Sequence, residues 1–106
     1  MNIVLVNPVT KDKVRVLRVE RCQQKVISAV GVWPPITLLE IAAKLKSKNF
    51  LDISVIDAEV SDLIFKELIR LVAQRSPDVV VIQSTTPTIK DDILFASLLK
   101  NKTPHL

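Results

Sequence analysis

The chain has 106 residues, 48% apolar and 25% charged, with a net charge of +4, which leaves room for one domain around one hydrophobic core. No apolar run reaches the ~20 residues of a membrane helix. The N-terminal Met1-Asn2-Ile3-Val4-Leu5-Val6 has no basic stretch ahead of its apolar run, so no signal peptide is expected and a cytoplasmic protein is. One cysteine, Cys22, and one histidine, His105, exclude an internal disulfide, a zinc site and a cysteine-ligated iron–sulfur cluster.

Three strand-then-helix units follow one another. Ile3-Val4-Leu5-Val6 is an unbroken apolar run stopped by Asn7-Pro8, as suits a strand covered on both faces. A long connection over 9–33 follows, and the alternation of Val14, Val16 and Val19 is too poor for a strand. Residues 11–25 carry Lys11, Lys13, Arg15, Arg18, Arg21 and Lys25 against Asp12 and Glu20, which accounts for the whole positive excess. That stretch reads as a clamp for a phosphate or other anion, or as a solvated loop. No aromatic residues interleave with its cations, so nucleic-acid binding has little support.

The first helix is expected to open at Trp33-Pro34-Pro35, where proline fits the first turn. Leu38, Ile41, Ala42 and Leu45 form its apolar stripe, opposite Thr37, Glu40, Lys44 and Ser47. Lys44, Lys46 and Lys48 suit the C-terminal end of the helix dipole, and Asn49 suits a left-handed cap. The second strand, Ile53-Ser54-Val55-Ile56, ends at Asp57. Ser61 is the expected N-cap of the second helix, with Val60 and Phe65 as a hydrophobic staple and Ile64, Leu68, Leu71 and Val72 as the buried stripe. Ser76-Pro77 ends that helix. Val79-Val80-Val81-Ile82 is the third strand, followed by the polar loop Gln83-Ser84-Thr85-Thr86-Pro87-Thr88. Thr88 is expected to cap the third helix, with Asp91 and Asp92 in its first turn and Ile89, Ile93, Ala96 and Leu99 on its inner face. Strands alternating with helices imply an α/β fold with a parallel sheet and right-handed crossovers.

In open α/β sheets ligands bind beyond the carboxyl ends of the strands, where strand order reverses. With the order 2-1-3 that point lies between strands one and three. Asn7-Pro8, the Trp33-Pro34-Pro35 corner, Asp57 and the loop Gln83, Ser84, Thr85, Thr86 and Thr88 then share one rim. An amide, several hydroxyls, an indole and a carboxylate can hydrogen-bond amides or phosphates and cover an apolar ring. The duller readings are that Asn7 closes a turn, Thr88 caps a helix, Trp33 covers the core edge and Asp57 serves its own loop. No nucleophile–base pair is present, so no catalytic residue is assigned. With Gly31 as the one glycine, neither a dinucleotide-binding fingerprint nor a P-loop can form.

Val4–Pro8, Trp33–Leu45, Val55–Glu59 and Pro77–Ile89, taken in order, resemble the N-terminal cobalamin-binding domain of cobalamin-dependent radical SAM enzymes, the anaerobic magnesium-protoporphyrin monomethyl ester cyclase type in particular. The resemblance spans nearly the whole chain. It implies a Rossmann-like or flavodoxin-like domain that holds a corrinoid beside a radical SAM domain. It further implies that Asn7, Pro8, the Trp33–Pro35 corner and Ser84 to Thr88 line the corrinoid side, with Ser84 near the cofactor's nucleotide tail. Two departures stand out. No Asp-x-His-x-x-Gly follows strand one, so no histidine is placed to ligate cobalt. The sequence also stops at Leu106, where that family continues into a fourth strand and a Gly-Gly-Pro-His segment. The expectation is a domain truncated before strand four, binding its cofactor feebly and non-catalytic alone. Val79–Ile82 would then be an apolar edge, covered in a homodimer or another assembly. The alternatives are a stand-alone interaction or regulatory unit that has lost the ligand, and a small enzyme acting on an anion through the basic loop.

Overall fold

The computed structural model describes residues 1–12 and 35–106. Its elements in chain order are β1 (Ile3–Asn7), α1 (Ile36–Ser47), β2 (Ile53–Asp57), α2 (Phe65–Gln74), β3 (Val79–Ile82), a 3₁₀ turn (Thr86–Thr88) and α3 (Ile89–Lys102). The strands form a parallel sheet in the order β2-β1-β3, as in Rossmann-like and flavodoxin-like folds. Ile3 pairs with Ile53 and Val79, and Val6 pairs with Ile56 and Ile82, so all three strands run in register.

The central strand is apolar at its first four positions because both its faces are covered. Its side chains alternate between two cores. Val4 and Val6 pack with Ile56, Leu68, Val72, Phe95 and Leu99 under α2 and α3. Ile3 and Leu5 pack with Leu38 under α1. In α1, Ala42 and Leu45 join Leu38, while Ile41, expected in the same stripe, is on the exposed side. The N-terminal end of the sheet is tied by Asn2. Its backbone N–H donates to Asp78 Oδ2 at 2.7 Å and its side-chain amide donates to the Arg75 carbonyl at 2.6 Å.

Asn49 sits at φ 68°, the left-handed exit expected after α1. Asp62 (φ 51°) and Ser76 (φ 47°) share that conformation. α2 begins at Phe65, later than Ser61 predicts. Asp57 Oδ1 accepts from the backbone N–H groups of Glu59 and Val60 at 3.2 and 3.5 Å. The Ser61 and Leu63 N–H groups go back to the carbonyls of Asp57 and Ala58. These local bonds hold 58–63 in turns, since Asp side chains compete well with helical pairing. Ile64, in extended conformation, becomes the N-cap position. Ser61 caps nothing, Val60 is 66% exposed so no staple forms, and Phe65 and Ile69 replace Ile64 in the buried stripe with Leu68 and Val72.

The inner face of α3 also differs from expectation. Asp92, Phe95 and Leu99 are its buried residues, continuing from buried Thr88, whereas Ile89 and Ala96 are exposed and Ile93 is 59% exposed. The buried face is displaced by one residue, roughly 100° of helix. Two contacts set that rotation. Phe95 is fully buried and meets Phe65 edge-on, with ring centroids 6.1 Å apart. One turn earlier, Asp92 is held by hydroxyls described below. Together they outweigh the burial of two isoleucines.

Candidate functional site: the carboxyl rim of the sheet

The parallel register brings the expected loops to one end of the sheet. Asn7 pairs with Asp57 on one side, and on the other side Val6 pairs with Ile82, the last residue of β3 before the Gln83–Thr88 loop. The Asn7 side-chain amide donates to Asp57 Oδ1 at 3.0 Å, and its backbone carbonyl accepts from the Ala58 N–H at 3.1 Å. Asp57 therefore serves the loop after β2 with one oxygen while meeting Asn7 on the rim. Pro8 is fully buried, and Val9 and Thr10 are buried behind it. The Lys11 N–H donates to Asp91 Oδ2 at 3.1 Å, which ties the loop after β1 to the first turn of α3.

The loop after β3 is built on a buried carboxylate. Asp92 is 2% exposed. Its Oδ2 accepts from Thr88 Oγ1 at 2.7 Å and from Ser84 Oγ at 2.8 Å. Thr88 Oγ1 lies 2.7 Å from Thr85 Oγ1 and accepts from the Thr85 N–H at 3.3 Å. Thr88 holds the N-cap position of α3, yet its hydroxyl makes no cap hydrogen bond there; it is spent on Asp92 and Thr85. The sequence reading places Asp92 only in the first turn of this helix, not among the rim residues. The signal available was spacing, since Ser84, Thr88 and Asp92 follow at intervals of four.

Ser84 and Thr86 are exposed, Gln83 is half-buried, and Thr85 and Thr88 are buried. Thr86 lines a shallow cavity of about 320 Å³ with Thr10, Asp12, Ile89, Lys90 and Asp91. Among the described residues, two acids and one lysine line it. Pro35 is buried at the N-cap position of α1 and accepts from the Leu39 N–H at 3.0 Å. Trp33 and Pro34, and the cations Lys13, Arg15, Arg18, Arg21 and Lys25, lie outside the described residues. His105 is exposed and lies past the C-terminal end of α3. Among the described residues no three His, Cys, Asp or Glu side chains gather as a metal site, and no helix is long and apolar enough to cross a membrane.

Among the described residues β2 and β3 are both edge strands of the sheet. β3 has no strand partner on its outer edge among the described residues. Beside it, a hollow of about 420 Å³ is lined by Val80, Ile82, Phe95, Leu99 and Leu106.

The chain is similar to the uncharacterized methyltransferase PH0819 of Pyrococcus horikoshii, with 28% identity over 101 residues. That stretch is 95% of this chain and 19% of the methyltransferase, so the chain spans about a fifth of its relative's length. No known protein-family profile matches the chain, and no solved structure matches it.

Proposed function

We propose that this chain is the corrinoid-binding module of a methyltransferase-like protein, one that holds cobalamin beside a radical SAM domain and performs no chemistry alone. The observation that carries the reading is the gathering of Asn7, Asp57 and the Ser84–Thr88 loop on the carboxyl rim of a 2-1-3 parallel sheet. The similarity to a methyltransferase over nearly the whole chain supports it. A bound cobalamin supplies a cobalt centre able to carry a methyl group. The rim fits the periphery of such a group better than its metal. No described histidine lies there, whereas Asn7, Asp57 and Ser84 bring oxygen acceptors for peripheral amides. Asn7, Pro8, Pro35 and Ser84 to Thr88 would hold the corrinoid; Trp33, Pro34 and Gln83 complete the proposed lining.

The test is a titration of the chain with hydroxocobalamin, followed by visible absorbance. Saturable spectral change with a midpoint below about 1 mM is the expected result. A linear response up to that concentration refutes the reading.

A second reading, a protein-interaction unit, is favoured by the open β3 edge. Four consecutive β-branched residues without a lysine, proline or bulge form a ready template for a further strand. In this reading a second copy of the chain, or another assembly partner, covers Val79–Ile82.

A further inference from the structure

Ser84, Thr85 and Thr88 would each be expected, as hydroxyl residues on a ligand rim, to donate to an anionic group. The bond directions around Asp92 say otherwise. A hydroxyl has one proton and two lone pairs, whereas a carboxylate accepts only. Ser84 Oγ is 2.8 Å from Asp92 Oδ2, so its single proton points inward. Thr88 Oγ1 has two acceptors within reach, Asp92 Oδ2 at 2.7 Å and the Thr85 carbonyl at 3.3 Å. The shorter, charge-assisted bond takes the proton. Thr88 Oγ1 then has only lone pairs left for Thr85. One accepts from the Thr85 N–H at 3.3 Å, and the other accepts from the Thr85 hydroxyl at 2.7 Å. The chain of donation therefore runs from Thr85 to Thr88 to Asp92, and meets a second donation from Ser84 on the same oxygen.

We infer that Asp92 fixes the polarity of this loop, so that Ser84 meets a ligand as a hydrogen-bond acceptor and selects an N–H or O–H group rather than a phosphate or carboxylate oxygen. The inference rests on the reading of this rim as a ligand site. Ser84 is the exposed member of the network. Its lone pairs, and not its proton, are what this hydroxyl leaves for a ligand. The primary amides around a corrinoid ring are donors of the required kind. Asp92 touches no ligand in this scheme; it is a positioning residue.

Neutron diffraction from crystals of the full chain grown in D₂O reads the proton directions directly. Deuterons on Ser84 Oγ and Thr88 Oγ1 should both point at Asp92 Oδ2. A deuteron on Ser84 pointing to solvent overturns the inference. In solution, two probes are titrated against the wild-type chain and Ser84→Ala: hydroxocobalamin and inorganic phosphate. The hydroxocobalamin midpoint should rise about fivefold to tenfold in S84A, the worth of one hydrogen bond, and any phosphate binding should be unchanged. Phosphate binding that weakens in S84A overturns the inference. If hydroxocobalamin binds neither chain while the deuterons point inward, the cobalamin reading falls and the acceptor polarity of Ser84 stands.

Discussion

Two threonines in this chain should answer the same substitution in opposite ways. Thr88 and Thr103 are both buried, and replacement by valine changes each by one hydroxyl-to-methyl swap. The Thr88 hydroxyl is fully committed: it donates to Asp92 Oδ2 at 2.7 Å and accepts from the N–H and hydroxyl of Thr85. Thr88→Val removes a hydrogen bond to a charged group, worth about 1.5–3 kcal/mol, and strands two buried donors, each at roughly 1 kcal/mol or more. Because these losses overlap, about 3 kcal/mol is the working figure. A domain of this size has a total stability of about 5–15 kcal/mol, so the loss is large. The Thr103 Oγ1, by contrast, has no hydrogen-bond partner among the described residues. Its desolvation is uncompensated, so Thr103→Val should stabilise by on the order of 1 kcal/mol. Urea unfolding followed by far-UV circular dichroism measures both. The wild-type midpoint should fall between the two variants. Unfolding free energies for T88V and T103V that agree within about 0.5 kcal/mol would refute the assignment of the buried network.

Phe95→Ala should cost about 3–5 kcal/mol, because it empties the centre of the α2–α3 core. In a double-mutant cycle with Phe65→Ala, thermal unfolding should reveal a coupling of about 0.5–1.5 kcal/mol from the edge-on ring pair; strict additivity would show that the rings are merely neighbours. If β3 recruits a second copy, the wild-type chain should sediment as a dimer or larger species. Val79→Lys, which puts a charge on the partly exposed first residue of that strand, should then shift it to monomer; a wild-type monomer at high concentration would dispose of the idea.

The three described strands were legible because each is a short apolar run bounded by a turn or a helix signal, at Asn7-Pro8, Asp57 and Gln83-Ser84. The parallel sheet followed from the βαβ pattern, the order 2-1-3 was assumed rather than read from any residue, and the register brings Asn7 beside Asp57. Helix faces were legible only where hydrophobicity alone decides them. In α3, Ile89 and Ile93 mimic an inner stripe, but a carboxylate and a large ring claim the interior. A pattern scored by apolarity has no way to place Asp92 inside, because the acid is buried for its hydrogen bonds. The start of α2 was missed for a related reason. Ser61 is a good cap in isolation, and Asp57, four residues upstream, had already committed its side chain to the intervening backbone.

Among the described residues, three turns are made by residues with positive φ that are not glycine: Asn49, Asp62 and Ser76. A side chain held in that region is strained by about 1–2 kcal/mol, less for Asn and Asp, whose side chains bond locally. Glycine would relieve the strain but would give the unfolded chain more freedom, a loss of about 0.4–1 kcal/mol per position. The two effects oppose one another. The connections after α1, β2 and α2 are thus turned without glycine, each corner recovering part of its folded-state strain by restricting the unfolded chain.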